Sequence, residues 1–226
     1  MDLQLTDRVV LVVGGAGYLG SAIARQAREE GATVVVASRR PGEGGVELDA
    51  SDDGSVRTAI ASVLAEHGRI DAVVITAAPS LGTLDPARSS DPDQVAAAIA
   101  GKALTFLRVA NAVLPVMREV GYGRIVGIAG QAAVLTGNLA GAVRNTALIV
   151  AAKNLADEVA GSGVGVNVVN PAAVNDDPAA EVQPGQGGQS SPAQIADLVA
   201  FLISPRNVVS GESIAIGHRV LGITAL

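Results

Sequence analysis

A chain of 226 residues lies within the range of one α/β domain and is long enough to bury a single continuous core. Its formal charge of −6 and the absence of any Lys/Arg block argue against nucleic acid as the main partner, because phosphate binding needs clustered positive charge. With no cysteine there is no disulfide framework or thiolate nucleophile, and the two histidines, His67 and His218, stand in no metal-ligand spacing.

Apolar residues make up 49% of the chain and aromatics only 2%, so the core must be built from Ala, Val, Leu and Ile, as suits a buried parallel sheet. The N-terminal stretch Met1 to Asp7 carries acids and does not read as a signal peptide, and no transmembrane span is expected. The expectation is a soluble cytoplasmic protein that contacts no membrane.

In chain order, the aliphatic run Val9 to Val13 predicts a strand, and Ser21 to Glu30, with Ala22, Ile23 and Ala27 at helical spacing, predicts a helix. A second strand over Thr33 to Ala37 completes a β-α-β unit with the length of a right-handed crossover. The alternation continues with a helix near Ser55 to Glu66, a strand Ala72 to Thr76, a helix around Lys102 to Arg118 and a strand Arg124 to Ile128. It ends with a helix Gly141 to Val159, a strand Val164 to Val169, a helix Pro192 to Ile203 and a strand Ser213 to Ile216. Asp91-Pro92-Asp93-Gln94 and Ser191-Pro192-Ala193-Gln194 each read as a capped helix start with a capping-box glutamine. Asn175 to Ser190, rich in Gly, Gln, Pro and Asp, reads as a mobile surface segment. The whole predicts one domain, residues 1–226, of the α/β class: a Rossmann-type doubly wound parallel sheet in three αβα layers, with ligand beyond the carboxyl ends of the strands.

The first strand runs into Gly14-Gly15-Ala16-Gly17-Tyr18-Leu19-Gly20, which opens the first helix. Glycines there let the backbone approach a pyrophosphate, and the helix N-terminus offers free N–H groups to the anion, which makes Gly14, Gly17, Tyr18, Leu19 and Gly20 candidate cofactor ligands. The second strand ends Ala37-Ser38-Arg39-Arg40, with no acid where an NAD-selecting fold places one against the ribose 2′-hydroxyl. Ser38, Arg39 and Arg40 are suited to a 2′-phosphate, so NADP(H) is the expected cofactor; the alternative is that both arginines are solvated surface charges.

Further stretches complete a pattern. Glu47-Leu48-Asp49-Ala50, Asp71 to Ala78, Leu114-Pro115-Val116-Met117, Gly123-Arg124-Ile125-Val126, Val166 to Ala172 and Ser210-Gly211-Glu212, taken with the glycine loop, resemble the short-chain dehydrogenase/reductase family over nearly the whole chain. The spacing of Gly14, Gly17 and Gly20 is closer to that family's extended members, while the length fits its short branch. The resemblance implies that Asp49 and Ala50 flank the adenine and that Ala77 and Ala78 end the strand that normally closes Asn-Asn-Ala-Gly. It also implies that Pro171 and Val174 lie beside the nicotinamide.

The family's usual chemistry passes a hydride between nicotinamide and substrate carbon while a Tyr, assisted by a Lys four residues on, moves the proton. A Ser orients the carbonyl, and an Asn on the preceding long helix holds a water relay. No Tyr-x-x-x-Lys exists in this sequence, whose only tyrosines are Tyr18 and Tyr122. Alignment of Leu155-Ala156-Asp157-Glu158 with the family's Leu-Ala-x-Glu puts Gly141 at the Tyr position, Asn145 at the Lys position, Gly130 near the Ser position and Lys102 at the relay Asn. Lys102 is then a candidate proton donor, or a lysine whose charge simply reaches solvent. Asn145 is a candidate donor to ribose or substrate, or a residue bonded to nearby backbone. Gln131, Thr76 and Ser80 lie just beyond strand ends and are suited to orienting a polar substrate, although a loop role is the simpler reading; Asp176, Asp177 and His218 read as surface or interface groups.

These observations imply an atypical NADP(H)-dependent reductase of a small carbonyl or quinone-like substrate that uses no tyrosinate base. The alternatives are a cofactor-binding isomerase or cyclase with no redox step, and a non-catalytic binding subunit. The family resemblance and the uncharged ending Val220 to Leu226 imply a homo-oligomer, dimer or tetramer.

Overall fold

Val9–Val13 (β1) is five aliphatic residues buried on both faces, which only a strand inside a covered sheet accommodates. In chain order there follow α1 (Tyr18–Glu29), β2 (Thr33–Ser38), β3 (Val46–Glu47), α2 (Asp53–His67) and β4 (Ala72–Ile75). After these come α3 (Pro92–Ile99), α4 (Thr105–Val120), β5 (Gly123–Ile128), α5 (Leu139–Glu158), β6 (Val164–Pro171), α6 (Pro192–Ile203) and β7 (Ser213–Ile216). The computed structural model describes residues 2–78 and 83–223.

Among the described residues seven strands run parallel in the order β3-β2-β1-β4-β5-β6-β7. This is the doubly wound three-layer sheet expected from the alternation. Alternate β1 residues serve opposite cores: Val9, Leu11 and Val13 face α2, α4 and α5, while Val10 and Val12 face α1 and α6. The order reverses direction between β1 and β4, which opens the crevice of this fold at their carboxyl ends.

The structure corrects several local expectations. β3, two residues paired only through Ala37 with Val46 and Ser38 with Glu47, carries no hydrophobic signature and was not predicted. Ser191 and Gln194 form the full capping box. At Asp91, by contrast, the side chain caps the helix but Gln94 turns away to Asp85 and Arg88.

α3 and α4 are joined by one wide π-turn, Ala100–Leu104, into a continuous helix Pro92–Val120. That helix is long and apolar enough to cross a membrane, but half of its most apolar window is buried, with Phe106, Val109, Ala110, Val113 and Met117 in the core against the sheet.

The segment after β6, expected to be mobile, is tied down at several points. Val174 pairs with Ser190, and Gly188 N donates to His218 O, Gly185 N to Leu221 O and Leu221 N to Gln186 O.

Candidate functional site

The turn from β1 into α1 is built around two glycines. Gly14 has φ +84°, and a Cβ there would meet Thr76 Oγ1 at 2.5 Å; a Cβ on Gly20 would run into the Gly14 carbonyl. The helix thus starts hard against the strand end. Among the described residues no side chain caps α1 at Gly17, which leaves its first-turn amides open in the way that suits a phosphate.

A cavity of about 890 Å³ lies over these amides. Gly14, Gly17, Tyr18, Leu19 and Gly20 form one wall of it, and Ser38 and Arg39, at the end of β2, another. Asp49 and Ala50 line the same cavity beyond Arg39. The Asp49 carboxyl is held below its usual range by hydrogen bonds from the Ser51 hydroxyl and amide, with a smaller contribution from the Arg39 charge. Ala77 and Ala78 close the side under β4. Eleven sequence-predicted cofactor residues therefore share one groove. Arg40, Pro171 and Val174 do not line it: Arg40 is an exposed residue beyond β2, Pro171 ends β6, and Val174 makes its strand-like pair with Ser190.

At the end of β5 a second group of residues meets. Lys102, 7% exposed, sits on the π-turn, and its ammonium donates to the Ala129 carbonyl at 2.9 Å. Its charge does not reach solvent as the simpler sequence reading had it. Burial, and then the nearby charge of Arg144, bring its pKa down to about 7. Gly101 and Thr105, on either side of Lys102, line the large groove.

Asn145 approaches the same strand end from α5. Its Nδ2 donates to Gly141 O, one turn back, at 2.9 Å, while its buried Oδ1 has no hydrogen-bond partner among the described residues. A Cβ built on Gly130 would stand 3.4 to 3.6 Å from the Asn145 amide and 3.5 Å from Pro171 O. Lys102 and Asn145 therefore flank Ala129 and Gly130 from two helices, and Gly141 lies one turn before Asn145 against its own cap, Asn138.

Other sequence candidates have structural jobs. Gln131 is buried and spends its carboxamide on main chain, donating to Ile216 O and His218 O and accepting from Val220 N. The Thr76 hydroxyl is bound to Val13 O, which ties β4 to β1. Ser80 falls outside the described residues. Asp176 accepts from the Tyr18 hydroxyl at 2.7 Å, and the His218 side chain is exposed. Tyr122 lies at the opposite end of the sheet, its ring between the guanidinium groups of Arg8 and Arg124 at 4.8 and 4.7 Å.

Sequence reasoning missed Arg144, whose burial in a helix of small apolar residues had no local signal. It also missed the reach of Tyr18 to Asp176, which only tertiary structure brings together.

Comparison with known proteins agrees with this geometry. The family model described as Enoyl-(Acyl carrier protein) reductase matches residues 15–217. The chain is 30% identical over 238 aligned positions to (2S)-[(R)-hydroxy(phenyl)methyl]succinyl-CoA dehydrogenase subunit BbsC of Thauera aromatica, covering 95% of this chain and 94% of that protein. It is 33% identical over 191 positions to D-threitol dehydrogenase of Mycolicibacterium smegmatis, covering 76% and 72%. Among solved structures, the ligand-free aldohexose dehydrogenase of Thermoplasma acidophilum superposes with a TM-score of 0.81 at 22% identity, over 98% of both chains. The chain belongs to the short-chain dehydrogenase/reductase family, whose relatives here are oxidoreductases.

Proposed function

We propose that this protein is an atypical NADP(H)-dependent reductase acting on a small carbonyl or quinone-like substrate. The observation that carries the reading is the dinucleotide groove, with Lys102, its pKa lowered by burial to about 7, just behind the groove wall beside Gly101 and not itself lining it.

The glycine cradle and the open amides of Tyr18, Leu19 and Gly20 fit a pyrophosphate, and Ser38 with Arg39 fits a 2′-phosphate. The orphaned Oδ1 of Asn145 fits a ribose hydroxyl, which would supply the donor it lacks. A dinucleotide held there would supply the hydride. Lys102 supplies the proton: an acid with a pKa of about 7 is well matched to transfer at neutral pH, and no tyrosine lies at this end of the sheet apart from Tyr18, in the glycine loop.

A second reading, that the chain is a non-catalytic partner subunit, is favoured by one observation. The name of the Thauera relative describes a subunit of a dehydrogenase. Glycine at positions 130 and 141 is consistent with it. In either reading we place the protein in the cytoplasm, and in the first we place it in a homo-oligomer. The outer face of α5 supports assembly: an apolar groove of about 770 Å³ runs past Leu139, Val143 and Val150, while Val220 of the C-terminal segment is buried in its own chain. Mass spectrometry of the purified protein for copurified NADP(H), followed by carbonyl substrates with nicotinamide oxidation monitored, tests the proposal. Cofactor bound but never oxidised across the panel would favour the subunit.

A further inference from the structure

Tyr18 opens α1 beyond the carboxyl end of β1, and Asp176 stands in the segment that leaves β6. In the sheet, β4 and β5 lie between β1 and β6. Three strand spacings amount to roughly 14 Å. The residues are 158 positions apart in sequence, yet the Tyr18 hydroxyl donates to Asp176 Oδ1 at 2.7 Å. The contact closes that gap over the carboxyl ends of the middle strands, the place where a doubly wound sheet holds its ligand.

Packing does not explain the position of the ring. Tyr18 is 56% exposed and forms part of the wall of the dinucleotide groove. The hydrogen bond to Asp176, then burial and the carboxylate charge, hold the phenol above its ordinary pKa. On the other side, the chain is pinned immediately before Asp176: Val174 pairs with Ser190, and Asn175 Nδ2 donates to Gln189 Oε1 at 2.6 Å. The carboxylate thus sits at the first exposed position beyond a fixed base.

We propose that the Tyr18–Asp176 hydrogen bond is a latch across the mouth of the groove, made whether or not a dinucleotide is held, so that it must open for one to enter and again for one to leave. The inference rests on the dinucleotide-binding reading above. A latch differs from a ligand contact in its kinetics. Breaking it lowers the barrier in both directions, so association and dissociation accelerate together and the equilibrium barely moves. One hydrogen bond of ordinary strength corresponds to about a 3- to 10-fold change in rate.

Stopped-flow fluorescence with NADPH should show Tyr18→Phe and Asp176→Ala each raising both rate constants about 3- to 10-fold. In Asp176→Ala, which lies outside the groove wall, Kd should change by less than about twofold, and the double variant should be no faster than either single one. Unchanged rates, or a faster dissociation with unaltered association, would overturn the latch. Hydrogen exchange in the nucleotide-free protein gives a readout that does not need the cofactor. The Ala179 amide, which donates to Gln189 Oε1 just beyond Asp176, should exchange faster in Tyr18→Phe than in the wild type, and equal exchange would sink the proposal by itself. Failure of the wild type to bind NADPH or NADH, with that exchange difference present, would instead remove the dinucleotide reading.

Discussion

Replacing Lys102 with methionine should make the protein more stable at acid pH and flatten its pH dependence. In the folded protein the ammonium is buried and its pKa is about 7, against an ordinary 10.5. Between those values the unfolded chain carries a proton that the native state lacks, so stability rises with pH through that window. At ~1.4 kcal/mol per pH unit the full penalty is about 5 kcal/mol, present below pH 7 and gone above 10.5. About 3 kcal/mol of it is recovered between pH 6 and pH 9. Methionine keeps the length of the side chain and drops the charge. It leaves Ala129 O without its donor, which costs about 1 kcal/mol at every pH. Urea unfolding followed by circular dichroism at pH 6, 7.5 and 9 measures the difference between the two proteins, from which titrations common to both cancel. The variant should lead at pH 6, and its lead should shrink by about 3 kcal/mol by pH 9. A difference that does not vary with pH would show that Lys102 keeps its charge, and with it would fall the argument for a neutral-range proton donor.

Arg39→Ala should weaken NADPH binding about 10-fold in a calorimetric titration and leave NADH unchanged, because it removes a charge-assisted contact to the 2′-phosphate alone; equal losses for both would refute the assignment. Val150→Asp places a charge on a residue that is 54% exposed in the monomer, so folding should be preserved while light scattering reports a smaller species; an unchanged mass would move the interface elsewhere. Tyr122→Phe should leave turnover nearly intact, since the ring is held by Arg8 and Arg124 at the far end of the sheet. A large loss of turnover in a folded, cofactor-binding variant would overturn the location of the site.

What could be read from the sequence was whatever is specified locally. Val9 to Val13 can only be a covered strand, and Gly14 and Gly20 occupy positions where any Cβ would collide, so the first β-α-β unit and its groove were visible in order. Lys102 could be placed by alignment, but its burial depends on the π-turn, which arises where Ala100–Leu104 packs and leaves no periodic mark. The α3 segment, read only as a capped start, merges with α4 because the π-turn Ala100–Leu104 carries the helix on without a break. Gln131 looked like a polar loop residue facing substrate because its three partners lie 85 to 89 residues away. Asp176 was read as a solvated carboxylate for the same reason.

Gln131 also sets an unusual rule for variation in this chain. It grips Ile216, His218 and Val220 only by their main-chain atoms, and those atoms are the same for every residue except proline at the donor position. Substitutions at 216 and 218 therefore pass unseen by the carboxamide, whereas deletion or insertion of one residue between them moves every partner out of register. The Gln131 anchor is thus sensitive to how many residues separate 216, 218 and 220 rather than to which side chains they carry.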